Sequence, residues 1–196
     1  MGKLIITSSD QVKIRAIGCV TELVGRCPDF DSSRCHENWR LIDERITRKW
    51  FSSIGSHSNA MSEDAASQTD SASKLFCRIF EMARQPFQDI RFSTFRLLAS
   101  IASQSWGLQL FLNSAGFFEY LLDTSTEANM SSNQGSLLHE KFAIARIALR
   151  THMDSVDASG SQNILTDAQQ LRLEGFLEEG PWGRLQGEST IAMEQA

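Results

Sequence analysis

Cysteine and histidine side chains are the first candidates for chemistry, because thiolates and imidazoles are the ligands that zinc prefers in proteins. Cys27, Cys35 and His36 lie close together in the sequence. Their spacing contains no CxxC pair and no clear second pair, which a closed four-ligand zinc site normally requires. His139 and His152 have no HExxH frame, so we expect them to be polar surface residues. The sequence therefore predicts no metal centre.

Acidic and hydroxyl side chains are the next candidates, for acid/base or nucleophilic catalysis. The pairs Glu63-Asp64 and Glu178-Glu179 lie in a polar stretch and at a predicted helix end, which favours solvated charge. The chain has no GxSxG elbow, no GxxxxGK[ST] loop and no GxGxxG sequence after a strand. A triad dispersed along the chain stays open as an alternative, and it predicts a deep pocket with a nucleophile beside a histidine. Otherwise we expect no enzyme activity and no cofactor.

The elements that must position any site repeat one apolar helix pattern, at residues 12–24 and again seventy-eight positions later at 90–102. Apolar or small side chains coincide at Val12/Ile90, Ile14/Phe92, Ile17/Phe95, Cys19/Leu97, Val20/Leu98, Leu23/Ile101 and Val24/Ala102. The spacing is slightly short of twice the ~40 to 47 residues of a HEAT or armadillo unit. No stretch alternates like a strand. The prediction is all-α: a HEAT/armadillo-like right-handed α-solenoid of stacked helix pairs, whose function is to hold another protein.

Caps, glycines and prolines divide the chain into predicted helices. They cover Ser9 or Asp10 to before Cys27, residues 37–54 with a stop at Gly55, 72–85, a helix after Pro86, 106–112, 117–122, 137–152, and Thr166 or Asp167 to Gly180. The Ser-rich segment at about 52–73 has few large apolar side chains and is predicted to be a flexible loop. Residues 124–135 and 154–162 are predicted polar loops. We predict one helical domain over residues 1–185 and a polar tail over 186–196.

The charge balance excludes some partner classes. Nineteen Lys and Arg against 24 Asp and Glu give a net charge of −5, which disfavours nucleic acid as a partner. No apolar run approaches the ~20 residues that span a bilayer, and the start is too short in apolar residues for a signal peptide. We therefore expect a cytoplasmic or nuclear protein with no membrane contact. Cys19 and Cys77 are expected to be thiols packed among apolar helix positions.

The start of the second repeat copy has the most specific pattern. Asp89 can favour the positive end of the helix that follows Pro86, and Arg91 is placed to pair with an acidic group in an adjoining turn. Such pairs would tie one repeat to the next. An ordinary helix start in an unrelated bundle is the alternative.

Three segments carry a resemblance to a known family: QPFQDIR at 85–91, NSAGFFEYLLD at 113–123 and LRLEGFLEEGPW at 171–182. They resemble the C-terminal part of the 26S proteasome non-ATPase regulatory subunit 5 family, HEAT-repeat chaperones of proteasome assembly. The resemblance implies a non-enzymatic protein that holds the C-terminal domain of a proteasomal ATPase subunit while the base of the regulatory particle is assembled. A helical-repeat adaptor for an unrelated partner is the alternative.

Polar positions on the second helix of each predicted pair are the candidate partner-binding residues, because these helices line the concave face of solenoids. The offset of seventy-eight pairs Arg15 with Ser93, Gly18 with Arg96 and Glu22 with Ser100. We predict that Arg15, Glu22 and Arg96 face a partner. Ordinary solvated helix surface is the alternative interpretation.

The family's chain is much longer than this one, so the resemblance implies a fragment of a longer array. A first helix pair without its preceding repeat should expose an apolar face. We predict that this patch is formed by Ile5, Ile6, Ile14 and Ile17.

Overall fold

The computed structural model describes residues 2–25, 43–56, 68–128, 134–159 and 163–181. Within these ranges the chain forms helices and no strands, so the all-α prediction is confirmed. The helices are α1 (Gly2–Thr7), α2 (Asp10–Val24), α3 (Glu44–Ser56), α4 (Gln68–Ala83), α5 (Gln88–Ala102), α6 (Ser105–Asn113), α7 (Phe117–Leu122), α8 (Ser125–Ala128), α9 (Gln134–Ser159) and α10 (Asp167–Glu179). The candidate zinc ligands Cys27, Cys35 and His36 and the predicted tail 186–196 lie outside the described residues.

Helix α5, the second copy of the repeated pattern, lies at the centre of the fold. It packs against α2, the first copy, and also against α4, α6 and α9. Nearly every residue from Thr94 to Ala102 is therefore buried. Helix α3 packs on α4, α1 on α2, and α10 on α9. The two copies of the repeat are thus neighbours in space as well as in pattern.

Local capping signals place several helix ends where the sequence predicts them. Helix α2 begins after Ser9 as predicted, although the Ser9 side chain makes no capping hydrogen bond. Helix α7 begins after Gly116, whose φ of 76° places it in the left-handed region that glycine tolerates best. Thr166 caps α10: its hydroxyl accepts a hydrogen bond from the Gln169 amide at 3.3 Å, and the Gln169 side chain accepts one from the Thr166 amide at 3.0 Å. This reciprocal pair is a capping box, which satisfies two amide groups at the helix start.

The boundaries of all three predicted loops are wrong, because helices continue into polar sequence. Helix α3 runs past Gly55 to Ser56 and α4 begins at Gln68, so both ends of the predicted 52–73 loop are helical, while residues 57–67 lie outside the described part. Gly55 lies one residue before the last described residue of α3 and makes a close helix contact: a Cβ there would lie 2.3 Å from the Ser71 carbonyl oxygen. Helix α9 continues into the predicted 154–162 loop as far as Ser159, and α8 lies within the predicted 124–135 loop.

The predicted apolar patch at the start of the chain is also wrong. Residues 2–7 form α1, which packs on α2, so Ile5 and Ile17 are fully buried. Ile6 and Ile14 are half-buried. The exposed apolar side chains of α2 are instead Val12 and Leu23, and the Cys19 thiol is exposed as well.

Aromatic side chains fill the space between helices in the middle of the chain. The rings of Phe76, Phe111 and Phe117 contact one another, with centroids 4.4 to 5.4 Å apart. Phe80 contacts Phe117 and Tyr120 edge-on at 5.1 and 5.3 Å. These contacts join α4 to α6 and α7. No helix in the described part of the chain is long and apolar enough to cross a membrane.

Candidate functional site

The three predicted partner-binding residues lie on the surface of two packed helices. Arg15 and Glu22 are exposed on α2, and Arg96 is exposed on α5. None of the three makes an ion pair or a side-chain hydrogen bond with another described residue. Since α2 packs directly against α5, these side chains belong to neighbouring elements. Their availability is what a binding surface requires, but it does not distinguish such a surface from ordinary solvated helix.

Ser100 departs from the prediction that pairs it with exposed Glu22. It is buried, and its hydroxyl has no hydrogen-bond partner among the described residues. The reason is the close end-on contact with α2: a Cβ on Gly25 would lie 2.7 Å from the Ser100 hydroxyl oxygen. One turn further on, the Gln104 side-chain amide donates a hydrogen bond of 2.9 Å to the Val24 carbonyl. The end of α5 and the turn that leads into α6 hold the end of α2 rather than a partner.

Arg91 pairs with an acidic group in an adjoining turn, as the sequence predicts. Its Nη2 donates hydrogen bonds of 2.5 and 2.6 Å to the two carboxylate oxygens of Glu127 on α8. Its Nε donates a 2.9 Å hydrogen bond to the Ala83 carbonyl at the end of α4, and the Tyr120 hydroxyl donates one of 2.7 Å to the same oxygen. One arginine therefore joins α4, α5, α7 and α8.

Lys141 on α9 completes the cluster, and no pattern in the sequence indicates its role. Its ammonium nitrogen lies 3.1 Å from the Glu127 carboxylate and donates hydrogen bonds to the Tyr120 and Asp123 carbonyls, both at 2.9 Å. It also donates to the Thr126 hydroxyl at 2.5 Å and lies 4.0 Å from the Tyr120 ring centroid. We call Arg91, Glu127 and Lys141 the buried charge cluster.

The electrostatics of the buried charge cluster favour a structural role. Burial lowers the pKa of Lys141, and the Glu127 carboxylate opposes that effect. An ammonium group has three N–H donors and no acceptor, and here four oxygens surround it, so it has no lone pair to offer a substrate. Burial also raises the pKa of Tyr120, which keeps its hydroxyl protonated as a donor. The cluster therefore binds helices together.

An open groove of about 870 Å³ lies beside the cluster, between the α4–α5 turn and α7–α8. Phe80, Arg84, Tyr120 and Thr126 are among its lining residues, and the lining residues that the structure describes include no histidine or cysteine. A dispersed catalytic triad would need a nucleophile beside a histidine, and this groove does not supply one. Among the described residues, no group of three or more His, Cys, Asp or Glu side chains could hold a metal ion.

His152 differs from its predicted place on the surface. It is buried on α9, where its Nδ1 accepts a hydrogen bond of 3.3 Å from the Leu165 amide. This contact fixes the chain as it enters α10. His139 is exposed, as expected.

The fold and the surface define the class of this protein. It is an all-helical protein in which two copies of one helix pattern pack side by side and expose charged side chains without an ionic partner among the described residues. A sequence profile of the family described as "Proteasome non-ATPase 26S subunit" matches residues 40–196, so the chain belongs to this family. The resemblance drawn from three segments of the sequence is thereby confirmed.

Individual relatives agree with the family match. The 26S proteasome non-ATPase regulatory subunit 5 of Bos taurus is 30% identical over 188 residues, which are 95% of this chain and 31% of the bovine protein. The Homo sapiens protein of the same name is 28% identical over 186 residues, 95% of this chain and 29% of the human one. The chain therefore spans about a third of the length of these curated relatives. No solved structure gives a significant match.

Proposed function

We propose that this chain is a non-enzymatic chaperone or scaffold that binds the C-terminal domain of a proteasomal ATPase subunit during assembly of the regulatory particle base. The observation that carries the proposal is the family match over residues 40–196, together with relatives that are named non-ATPase regulatory subunits of the 26S proteasome. A chaperone of this kind acts in the cytoplasm or nucleus and needs no cofactor.

Stacked helix pairs of the HEAT or armadillo type are the architecture that we propose for this function. Two observations support it. The repeated patterns at 12–24 and 90–102 lie on α2 and α5, which pack together, and α9 also packs on α5. The Arg91–Glu127 pair connects the α4–α5 unit to the α7–α8 segment that follows, as expected of a tie between successive repeats.

The partner-binding surface that we propose is formed by Arg15, Glu22 and Arg96. Their side chains are exposed and have no ionic partner among the described residues, so binding another protein would break no internal ion pair. Exposed charges on both helices would make association sensitive to salt, because screening weakens electrostatic attraction between proteins.

A pull-down tests the proposal. The chain is the bait, and the C-terminal domains of the proteasomal ATPases, each expressed separately, are the prey. Selective capture of one domain is the expected result. Capture of none by a chain that circular dichroism shows to be helical would contradict the proposal, and capture only of proteins unrelated to the proteasome would favour an adaptor for another partner.

A further inference from the structure

We propose that two copies of this chain associate through helix α2, with the two α2 helices antiparallel across a two-fold axis. The contact surface is the row of exposed side chains Val12, Cys19 and Leu23, which we call the α2 stripe. These residues are spaced by seven and four positions, so they share one side of the helix. The inference rests on α2 itself and does not depend on the proposed function.

The internal repeat shows that the α2 stripe has the character of a helix-packing face. Its equivalents on α5, seventy-eight positions later, are Ile90, Leu97 and Ile101. Those three are 1%, 0% and 0% exposed. On α2, Val12 is 40% exposed, Leu23 is 41% exposed, and Cys19 is also exposed. One pattern is therefore buried in its second copy and open to solvent in its first.

The neighbour of that face on α5 is a helix. Ser100 lies against Gly25 at the end of α2, and Gln104 donates its hydrogen bond to Val24. Ile101, one of the three buried equivalents, lies against helix α6, since a Cβ on Gly107 would be 2.7 Å from the Ile101 Cγ2 atom. By the repeat, the α2 stripe has the shape and chemistry to receive a helix in the same way.

The charges beside the stripe indicate that this helix is a second α2. Arg15 and Glu22 lie symmetrically on either side of the Gly18-Cys19 pair, and both are exposed. An antiparallel copy centred on that pair places Arg15 opposite Glu22 of the second copy, and Glu22 opposite Arg15 of the second copy. Such self-complementarity is what a two-fold interface requires, since the same patch must bind itself.

The residues at the centre of the proposed contact are small, so the two helices can come close. A Cβ added to Gly18 would meet no atom of the described residues within 4 Å, so this part of the chain leaves that side open. With Gly18 and Cys19 at the crossing, Val12 and Leu23 flank it and supply the apolar area. The patch is limited to one helix, so we expect a concentration-dependent dimer rather than a permanent one.

Sedimentation velocity of the full chain over a range of concentrations tests the proposal. We expect a reversible monomer–dimer equilibrium. Val12→Asp and Leu23→Asp should each raise the dimer dissociation constant at least about tenfold, because a carboxylate would be desolvated in the contact. Leu171→Asp is the matched control: Leu171 is an exposed apolar residue on α10, and its replacement should leave the equilibrium unchanged.

A charge swap tests the antiparallel register. Arg15→Glu or Glu22→Arg alone should weaken the dimer by setting like charges opposite each other, and the double variant should restore it. A short bismaleimide should link Cys19 to Cys19 between copies, as identified by peptide mass spectrometry, without linking the exposed Cys77 to itself. A chain that remains monomeric at the highest attainable concentration overturns the proposal. So does a dimer that is indifferent to Leu23→Asp while circular dichroism shows the variant folded, or a double variant that stays as weak as the single ones.

Discussion

Replacing Glu127 by Gln removes the only negative charge of the buried charge cluster while keeping the shape of the side chain. The side chains of Arg91, Glu127 and Lys141 are 5%, 1% and 0% exposed, so the variant leaves two cations together with almost no water. Breaking a buried ion pair by removing one partner costs about 3 to 5 kcal/mol. The amide oxygen of Gln still accepts hydrogen bonds, which places the expected loss near the lower limit, about 3 kcal/mol.

Urea unfolding followed by far-ultraviolet circular dichroism measures this loss. For a chain of this length we expect an m value of about 2 kcal/mol per molar urea, so the midpoint should fall by about 1.5 M. The midpoint of thermal unfolding should fall by roughly 6 to 12 °C. The control is Glu119→Gln, which breaks the surface pair with Arg172, whose side chains are 67% and 48% exposed; we expect no resolvable change.

A double variant separates the charge effect from a general packing defect. Adding Lys141→Met to Glu127→Gln removes one of the two uncompensated cations, so the pair of changes should cost less than the sum of the two single changes. A loss below about 1 kcal/mol for Glu127→Gln would refute the reasoning, because it would mean that the cluster is hydrated in solution. Strict additivity in the double variant would also count against it.

Three further predictions follow from the helix contacts and caps. Gly107→Ala should destabilise the fold by about 3 kcal/mol, because the new Cβ would lie 2.0 Å from the Ile101 carbonyl oxygen. Gly18→Ala, whose Cβ would meet no described atom within 4 Å, should stabilise the fold by up to about 1 kcal/mol. Urea unfolding compares the two variants, and equal effects would contradict the close contact at Gly107. Thr166→Ala should cost about 1 kcal/mol through loss of the capping box, and an unchanged unfolding midpoint would contradict that role. Tyr120 is the single tyrosine, and its ultraviolet absorbance should titrate above the usual pKa of tyrosine, because burial raises the pKa of its hydroxyl. The folded state then holds the proton more tightly than the unfolded state, so the free energy of unfolding should fall as the pH rises through the pKa of the folded state. A normal pKa would contradict the burial.

Helix positions with local signals could be predicted from the sequence. The start of α2 after Ser9, the capping box at Thr166 and the break at Gly116 depend on residues within one turn of the helix end, and all three helix boundaries lie where expected. The Ser9 side chain itself makes no capping hydrogen bond. The partner type of Arg91 was also predictable, because an arginine that opens a helix next to a turn needs an anion if it is buried. The identity of that partner was not predictable, because Glu127 lies 36 residues after Arg91, and the polar segment around Glu127 is short and has no helical periodicity.

The errors share a physical cause, which is tertiary contact that overrides local pattern. The segment that holds Ile5 was too short to show a helical period, yet it packs on α2 and covers the face predicted to be open. Ser100 and His152 are polar and were expected at the surface, but the end of α2 and the start of α10 cover them. Cys19 and Cys77 were expected to pack, and both are exposed. The repeat alignment pairs the positions of the α2 stripe with apolar positions of α5, and the structure shows that those positions of α5 are buried.

The central claim is that this chain holds a proteasomal ATPase subunit by the exposed surface of α2 and α5. Isothermal titration of the full chain with the C-terminal domain that it captures tests this claim most directly, comparing the wild type with an Arg15→Glu, Arg96→Glu double variant at concentrations where the chain is monomeric. The control is Arg48→Glu with Lys49→Glu, which makes the same change of charge at exposed positions of α3. We predict affinity at least about tenfold weaker for the α2–α5 variant and little changed for the control. Equal affinities for wild type and both variants, or no heat of binding with any proteasomal ATPase domain, would contradict the account.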